Sequence, residues 1–153
     1  MSDIDARLAE LGITLPEPVA PVANYVPFVQ SGSQVFVSGQ VSIGADGLVK
    51  GTLGQGMDVV DGQAAARLCA INLIAQFKQA CGGDLNRVKR VVKLGGFVAA
   101  VPGFTEIPQV INGCSDLMVE VFGDAGRHAR SAVSCPALPL GAAVEVDAVI
   151  EIA

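Results

Sequence analysis

Apolar positions at Ile4, Leu8 and Leu11 alternate with Asp5, Arg7 and Glu10 at the start of the chain. That spacing predicts a short amphipathic helix over 4–11, ended by Gly12, because glycine is favoured just past a helix. Three prolines between Leu15 and Pro21 predict an extended connector. Tyr25 to Gln30 and Gln34 to Ser38 are runs of β-formers, and Ser31-Gly32-Ser33 between them signals a hairpin. Ala45-Asp46-Gly47 predicts a second turn through its Asp-Gly pair. Asp58 to Ala80 reads as the main helix. Its apolar stripe is Val59, Val60, Ala64, Leu68, Ile71, Leu73, Ile74 and Phe77, and Cys81-Gly82-Gly83 stops it. Val88 to Val101 reads as a long strand, buried on both faces through much of its length. Its glycine pair, Gly95-Gly96, marks a bulge or a close backbone approach. Phe104 to Phe122 predicts a second long helix, with Pro108 early enough to be tolerated in the first turn. Ala129 to Cys135 and Ala142 to Ile152 are the last strands. In the final one Val144, Val146, Ala148, Ile150 and Ile152 share one face, and Glu145, Asp147, Val149 and Glu151 the other.

The order β-β-(β)-α-β-α-β-β predicts an α+β architecture, one sheet with two helices on one face. No repeat or second domain is visible, so residues 1–153 read as one domain, with 1–21 its N-terminal helix and connector. The helices leave the other sheet face bare, and another subunit is its natural cover. Composition points the same way. The 153 residues are 51% hydrophobic and 16% charged, against about 25% charged in an ordinary domain, and mean hydropathy is +0.51. A domain of this size buries only about 70% of its chain surface, so exposed apolar patches are expected, and such patches mark interfaces. The richest apolar stretch, Val91 to Val101, is broken by Lys93 and Gly95-Gly96, well short of the roughly 20 residues of a membrane span. Met1-Ser2-Asp3-Ile4-Asp5 has no basic segment with an apolar core behind it, so no signal peptide is expected. The expected location is cytoplasmic.

Ten Lys and Arg against 15 Asp and Glu give a net charge of −5. That balance argues against DNA and against an extended RNA footprint, which draws on cations to neutralise phosphates. Arg87, Lys89, Arg90 and Lys93 cluster, but a charge run of this kind is ordinarily the solvated end of a strand. Cys69, Cys81, Cys114 and Cys135 form no Cys-x-x-Cys pair, and His128 is the single histidine. A zinc site needs about four ligands with paired spacing, so no metal is expected, and the cysteines read as reduced, buried thiols. Gly51-Thr52-Leu53-Gly54-Gln55-Gly56 lacks the lysine of a phosphate loop and the spacing of a dinucleotide fingerprint, and reads as a loop before the helix. His128 lies between Arg127 and Arg130 and reads as a surface or interface residue. Arg130 sits in a small, apolar strand, where a buried arginine must be paired and its planar fork suits a carboxylate. Glu145 lies on the polar side of the next strand. If those strands pair, the two residues line one cleft or form a salt bridge.

The motifs His128-Ala129-Arg130-Ser131-Ala132-Val133, Leu138-Pro139-Leu140-Gly141 and Val144-Glu145-Val146-Asp147-Ala148 together resemble the C-terminal signature of the Rid family. This family is also called YjgF/YER057c/UK114 and labelled endoribonuclease L-PSP. Tyr25, Val35-Phe36-Val37-Ser38-Gly39-Gln40, and Phe97-Val98 followed by Asn112 fall in family order. The resemblance covers about residues 22–153, and the N-terminal helix and connector look like those of a longer YjgF-like branch. It implies a chorismate-mutase-like α+β fold, a homotrimer with clefts between subunits, and hydrolysis of reactive 2-imino or enamine acids to 2-oxo acids and ammonia. Within it, Arg130 matches the arginine that grips the substrate carboxylate, and Glu145 the glutamate that positions or activates water. Tyr25, Ser38, Gly39 and Asn112 match residues of the same pocket. No metal or organic cofactor is implied, and the partner is a small carboxylate-bearing substrate. Family members lacking this arginine are without the deaminase activity. Two positions depart from the pattern. His128 stands where proline is usual, which bears on pocket shape, and Ala132 where many members carry cysteine, with Cys135 out of register to replace it. An endoribonuclease acting on single-stranded RNA and a non-catalytic carboxylate-binding module are the rival readings.

Overall fold

The structure, a computed structural model, describes residues 3–18 and 23–153. Helix α1 (Ile4–Glu10) starts at Asp3, whose carboxylate accepts the Asp5 N–H at 2.9 Å. It ends where Gly12 takes a φ of +72°, a backbone conformation that favours glycine. Buried Leu8 seats α1 on the body, Lys78 reaches Asp5 at 3.1 Å, and Arg7 Nε donates to the Glu120 carbonyl at 2.8 Å. Residues 19–21 of the connector lie outside the described residues.

Strands β1 (Phe28–Ser31) and β2 (Gln34–Val41) form the expected hairpin, turning through Gly32 at φ +63°. The first strand begins at Phe28, not Tyr25. Pro27 cannot donate to a ladder, and its carbonyl is taken by the Ser38 N–H. Strand β2 runs three residues past its expected end, through an irregularity between Val37 and Gln40. Two short ribbons follow, β3 (Ile43–Gly44) with β4 (Gly47–Leu48), and β5 (Thr52–Leu53) with β6 (Gly56–Met57). The first closes on the expected Ala45-Asp46 turn, and the second forms within the glycine-rich segment, which the sequence alone reads as only a loop before the helix.

Helix α2 (Val59–Ala80) is held at its start by a reciprocal pair. Asp58 accepts the Asp61 N–H at 2.9 Å, and Asp61 accepts the Asp58 N–H at 3.1 Å. Its buried face differs from the expected stripe. Val60 is 71% exposed and Ala64 is exposed, whereas Gly62, Ala65, Ala66, Cys69 and Ala70 are buried. Small residues mark the packed face because α2 packs closely against both the sheet and its neighbour on that face, α3 (Ile107–Phe122). Further along, Asn72 to Phe77 are buried all round. Helix α3 starts at Ile107 rather than Phe104 and holds Pro108 in its first turn, where no N–H is missed.

Strands β7 (Val88–Ala99), β8 (Ala129–Cys135) and β9 (Val144–Ile152) complete a five-stranded mixed sheet in the order β1-β2-β9-β7-β8, with β8 parallel to β7 and the other pairs antiparallel. Strand β9 alternates as expected, buried at Val144, Val146, Ala148, Ile150 and Ile152 toward the helices. The opposite face carries Val29 (53% exposed), Phe36 (47%) and Val133 (48%) beside Phe97 and Val149. No helix among the described residues is long and apolar enough to cross a membrane.

The glycine pair in β7 is a close approach on both faces. A Cβ on Gly96 would stand 2.7 Å from the Ile111 side chain of α3, and one on Gly95 would meet the Asp147 carboxylate. Gly96→Ala is therefore expected to push α3 off the sheet and cost about 1–3 kcal/mol, the usual price of overpacking a core. Urea unfolding measures it, and an unchanged midpoint would contradict the contact.

Candidate functional site

Arg130 leaves β8 on the helix-covered face, in register with buried Leu94. Two residues of α3 one turn apart, Asn112 and Ser115, receive it. The Arg130 Nη1 group donates to Asn112 Oδ1 at 2.8 Å and to Ser115 Oγ at 3.1 Å. Both Nη1 hydrogens are thereby used. The Nε and Nη2 edge makes no hydrogen bond with any described residue, and it is the edge that binds a carboxylate bidentately. His128, two residues before Arg130, stacks a further layer on this shell. Its Nε2 meets Ser115 Oγ at 2.9 Å and its Nδ1 meets the Gly126 carbonyl at 2.6 Å. The ring is half-buried, and burial pushes its pKa down. The Gly126 carbonyl opposes that shift and the Arg130 cation adds to it. His128 is thus an inner member of this cluster, beyond what its charged neighbours in sequence suggested.

Glu145 leaves β9 on the other face of the sheet, in register with Phe97 and Val41. The chain irregularity at Ser38-Gly39 lays the Gly39 backbone against it. A Cβ on Gly39 would overlap the Glu145 carboxylate, with the carboxyl carbon 2.9 Å away, so glycine makes room for the acid. Ser38 fixes the irregularity by donating from Oγ to the Val26 carbonyl at 2.8 Å. This tie holds the segment of Tyr25, which is 54% exposed. Partial burial pushes the Glu145 pKa up, and the neighbouring Asp147 carboxylate adds to that. Burial also raises Asp147, opposed by the Gly95 N–H and Lys93.

The expected residues therefore fall in two groups. Arg130 and Asn112 are together beneath the helices. Glu145, Gly39 and Ser38 are together at the open face and its β2 margin. The conditional pairing of β8 with β9 does not occur, because β7 lies between them. Alternation then sends Arg130 and Glu145 to opposite faces of the sheet, so one chain forms neither their salt bridge nor their common cleft.

A family model described as "YjgF/chorismate mutase-like, putative endoribonuclease" matches residues 5–152. This chain belongs to the YjgF/chorismate mutase-like family. Protein TCP17 of Trypanosoma cruzi is 53% identical over 97% of this chain and 94% of its own length. The crystal structure of Atu1372 from Agrobacterium tumefaciens, a protein with unknown function, superposes with a TM-score of 0.91 at 50% identity, covering 98% of this chain and 92% of that one. RidA from an Antarctic Psychrobacter superposes with a TM-score of 0.60 at 27% identity, covering 89% and 94%. The matches to TCP17 and Atu1372 span nearly the whole chain.

Other candidate chemistry in this YjgF-family chain is quiet. Three cysteines are buried and Cys135 is half-buried. Burial pushes the Cys114 thiol up to about 12, although Arg130 pulls it down, and burial also raises Cys135. Neither is a thiolate at neutral pH. Within the basic cluster, Arg87 donates to the Ala153 and Cys81 carbonyls, and Arg90 to the Arg127 carbonyl. Those two arginines close backbone ends. Among the described residues no group of three His, Cys, Asp or Glu is placed to hold a metal ion.

A carboxyl whose pKa is raised by folding holds its proton more tightly folded than unfolded. Its stabilisation is complete below the unfolded value, about 4.5 for glutamate, and is lost as pH rises through the folded value. Glu145→Gln removes that loss. Its melting temperature is expected to exceed wild type at pH 7 and to converge with it at pH 4; a gap that does not depend on pH would contradict the burial of the acid.

Proposed function

We propose that this protein hydrolyses 2-imino or enamine acids to 2-oxo acids and ammonia, in clefts formed between copies of the chain. The observation that carries this reading is the Arg130 guanidinium, anchored through Nη1 with its Nε and Nη2 edge unused. Family membership and the likeness to a RidA support it. A substrate carboxylate in that fork gains two charge-assisted hydrogen bonds and points its C2 away from the guanidinium. The imine carbon is already electrophilic, so the remaining work is positioning and proton transfer. Glu145 of a second copy takes a proton from water as the water oxygen adds to C2. Glu145 returns that proton to the imine nitrogen, and the hydroxyl of the resulting carbinolamine gives up its own proton to the same nitrogen. The C–N bond breaks so that ammonia leaves as the carbonyl forms, with Glu145 again a carboxylate. The raised pKa of Glu145 suits this task, because a base closer to neutrality accepts the proton more readily. Assembly as a homotrimer, brought to this chain by its family resemblance, would cover the apolar open face of Val29, Phe36 and Val133 and bring a second copy to each Arg130.

The rival endoribonuclease reading finds less support. The single histidine is engaged at both ring nitrogens, and the net charge is −5. Coupling the protein to an enzyme that releases 2-iminopropanoate, with semicarbazide as competing trap, measures the activity. Wild type is expected to speed imine loss. Arg130→Ala and Arg130→Lys should each abolish most of it, since lysine cannot reproduce the fork. Glu145→Gln should lower kcat about 10²–10⁴-fold, the contribution of a placed general base. No acceleration by folded wild type would overturn the reading.

A further inference from the structure

The reaction above uses neither Ser115 nor His128, yet both stand in the hydrogen-bond shell of Arg130. The direction of each bond follows from the atoms. A carbonyl oxygen only accepts, so the 2.6 Å contact with Gly126 puts a proton on His128 Nδ1. The ring is half-buried beside the Arg130 cation, which favours its neutral form. A neutral ring with Nδ1–H has a bare Nε2, so the Ser115 hydroxyl donates to it at 2.9 Å. With its hydrogen committed, Ser115 Oγ turns a lone pair toward Arg130 Nη1, which donates at 3.1 Å. Asn112 Oδ1 accepts the other Nη1 hydrogen at 2.8 Å. The chain from the Gly126 carbonyl to the guanidinium has one polarity throughout. Two acceptors at fixed positions on α3 define the plane of a group that would otherwise turn about its long stem.

We propose that His128, acting through Ser115, is a positioning residue that sets the plane of the Arg130 fork and thereby the affinity of this site for a 2-oxo or 2-imino carboxylate. The proposal rests on the reading of Arg130 as the carboxylate-binding residue. Asn112 alone holds one Nη1 hydrogen and leaves the plane free to rock. Removing the acceptor at residue 128 leaves the Ser115 hydroxyl free to rotate, so it no longer holds a lone pair at one fixed angle to Nη1. A purely structural role, pinning the Gly126 turn to the start of β8, would lower stability and leave ligand affinity unchanged in the folded protein.

Calorimetric titration of the intact protein with pyruvate, a stable 2-oxo acid, tests this apart from turnover. His128→Phe and Ser115→Ala are each expected to weaken pyruvate about five- to tenfold, the loss of one charge-assisted link. His128→Gln places a side-chain carbonyl near the Nε2 position and is expected to return to within about twofold of wild type. In the imine assay the loss should fall on KM rather than kcat. Nitrogen-15 spectra of wild type should show the Nδ1–H tautomer at His128, which keeps the test decisive if His128→Phe does not fold. Folded His128→Phe or Ser115→Ala with wild-type affinity, or an Nε2–H tautomer, would overturn the proposal. Wild type that does not bind pyruvate would overturn both this proposal and the assignment of Arg130. Pyruvate binding with the expected losses but no imine hydrolysis would leave the positioning role standing and remove the proposed reaction alone.

Discussion

The close passage of α3 over β7 at Gly96 sets the geometry on which the candidate site depends. With no side chain on Gly96, the Ile111 side chain settles onto the strand, and the next residues of α3 come within reach of β8. Asn112 and Ser115, three apart and so on one helix face, then take both hydrogens of Arg130 Nη1. The adjacent Gly95 does the same on the other face, where it admits the Asp147 carboxylate. Two glycines in sequence serve two faces because strand neighbours point in opposite directions. Strand β7 also separates β8 from β9, and the same alternation carries Arg130 under the helices while Glu145 faces outward.

These two charges are partnered differently. The Arg130 cation is held by two neutral acceptors, which fix one edge without neutralising it, and such a site is ready for an anion. The Glu145 carboxyl is set against the bare Gly39 backbone and beside a second carboxyl, Asp147. Neither neighbour stabilises its charged form, which is why its pKa rises. Each group therefore has an unmet electrostatic demand on its own side of the sheet. On the proposed function, a neighbouring copy brings its Glu145 to the Arg130 of this one, and a substrate carrying a carboxylate and a hydrolysable C–N bond joins the two.

Much of the fold was legible in the sequence, for reasons tied to particular residues. The five-fold alternation from Val144 to Ile152 placed β9 and its buried face correctly, because a half-covered strand must alternate. Asp58 and the Cys81-Gly82-Gly83 stop bounded α2, because caps are local chemistry. The face of α2 was not legible. Val60 and Ala64 fit a stripe as well as Ala65 and Ala66 do, and only the nearness of α3 and the sheet makes small residues the packed ones. Strand order was not legible either, since alternation tells which face a side chain takes and says nothing of which strand lies beside it. That is why Arg130 and Glu145 could be singled out as unusual charges but not placed relative to each other. His128 was passed over because its flanking arginines suggested a surface. The signal that would have found it was the alternate spacing of His128 and Arg130, set against polar residues one helical turn apart at Asn112 and Ser115.

The central claim is that one chain supplies the carboxylate-binding half of the site and a neighbour supplies the base. Arg130→Ala and Glu145→Gln, each inactive alone, test it when refolded together in equal amounts, with imine hydrolysis measured on the mixture. In a three-membered ring each cleft takes one residue of each kind from neighbouring copies, so random mixing restores about a quarter of wild-type activity. A mixture that stays inactive, while native mass spectrometry shows that mixed assemblies have formed, would contradict the account.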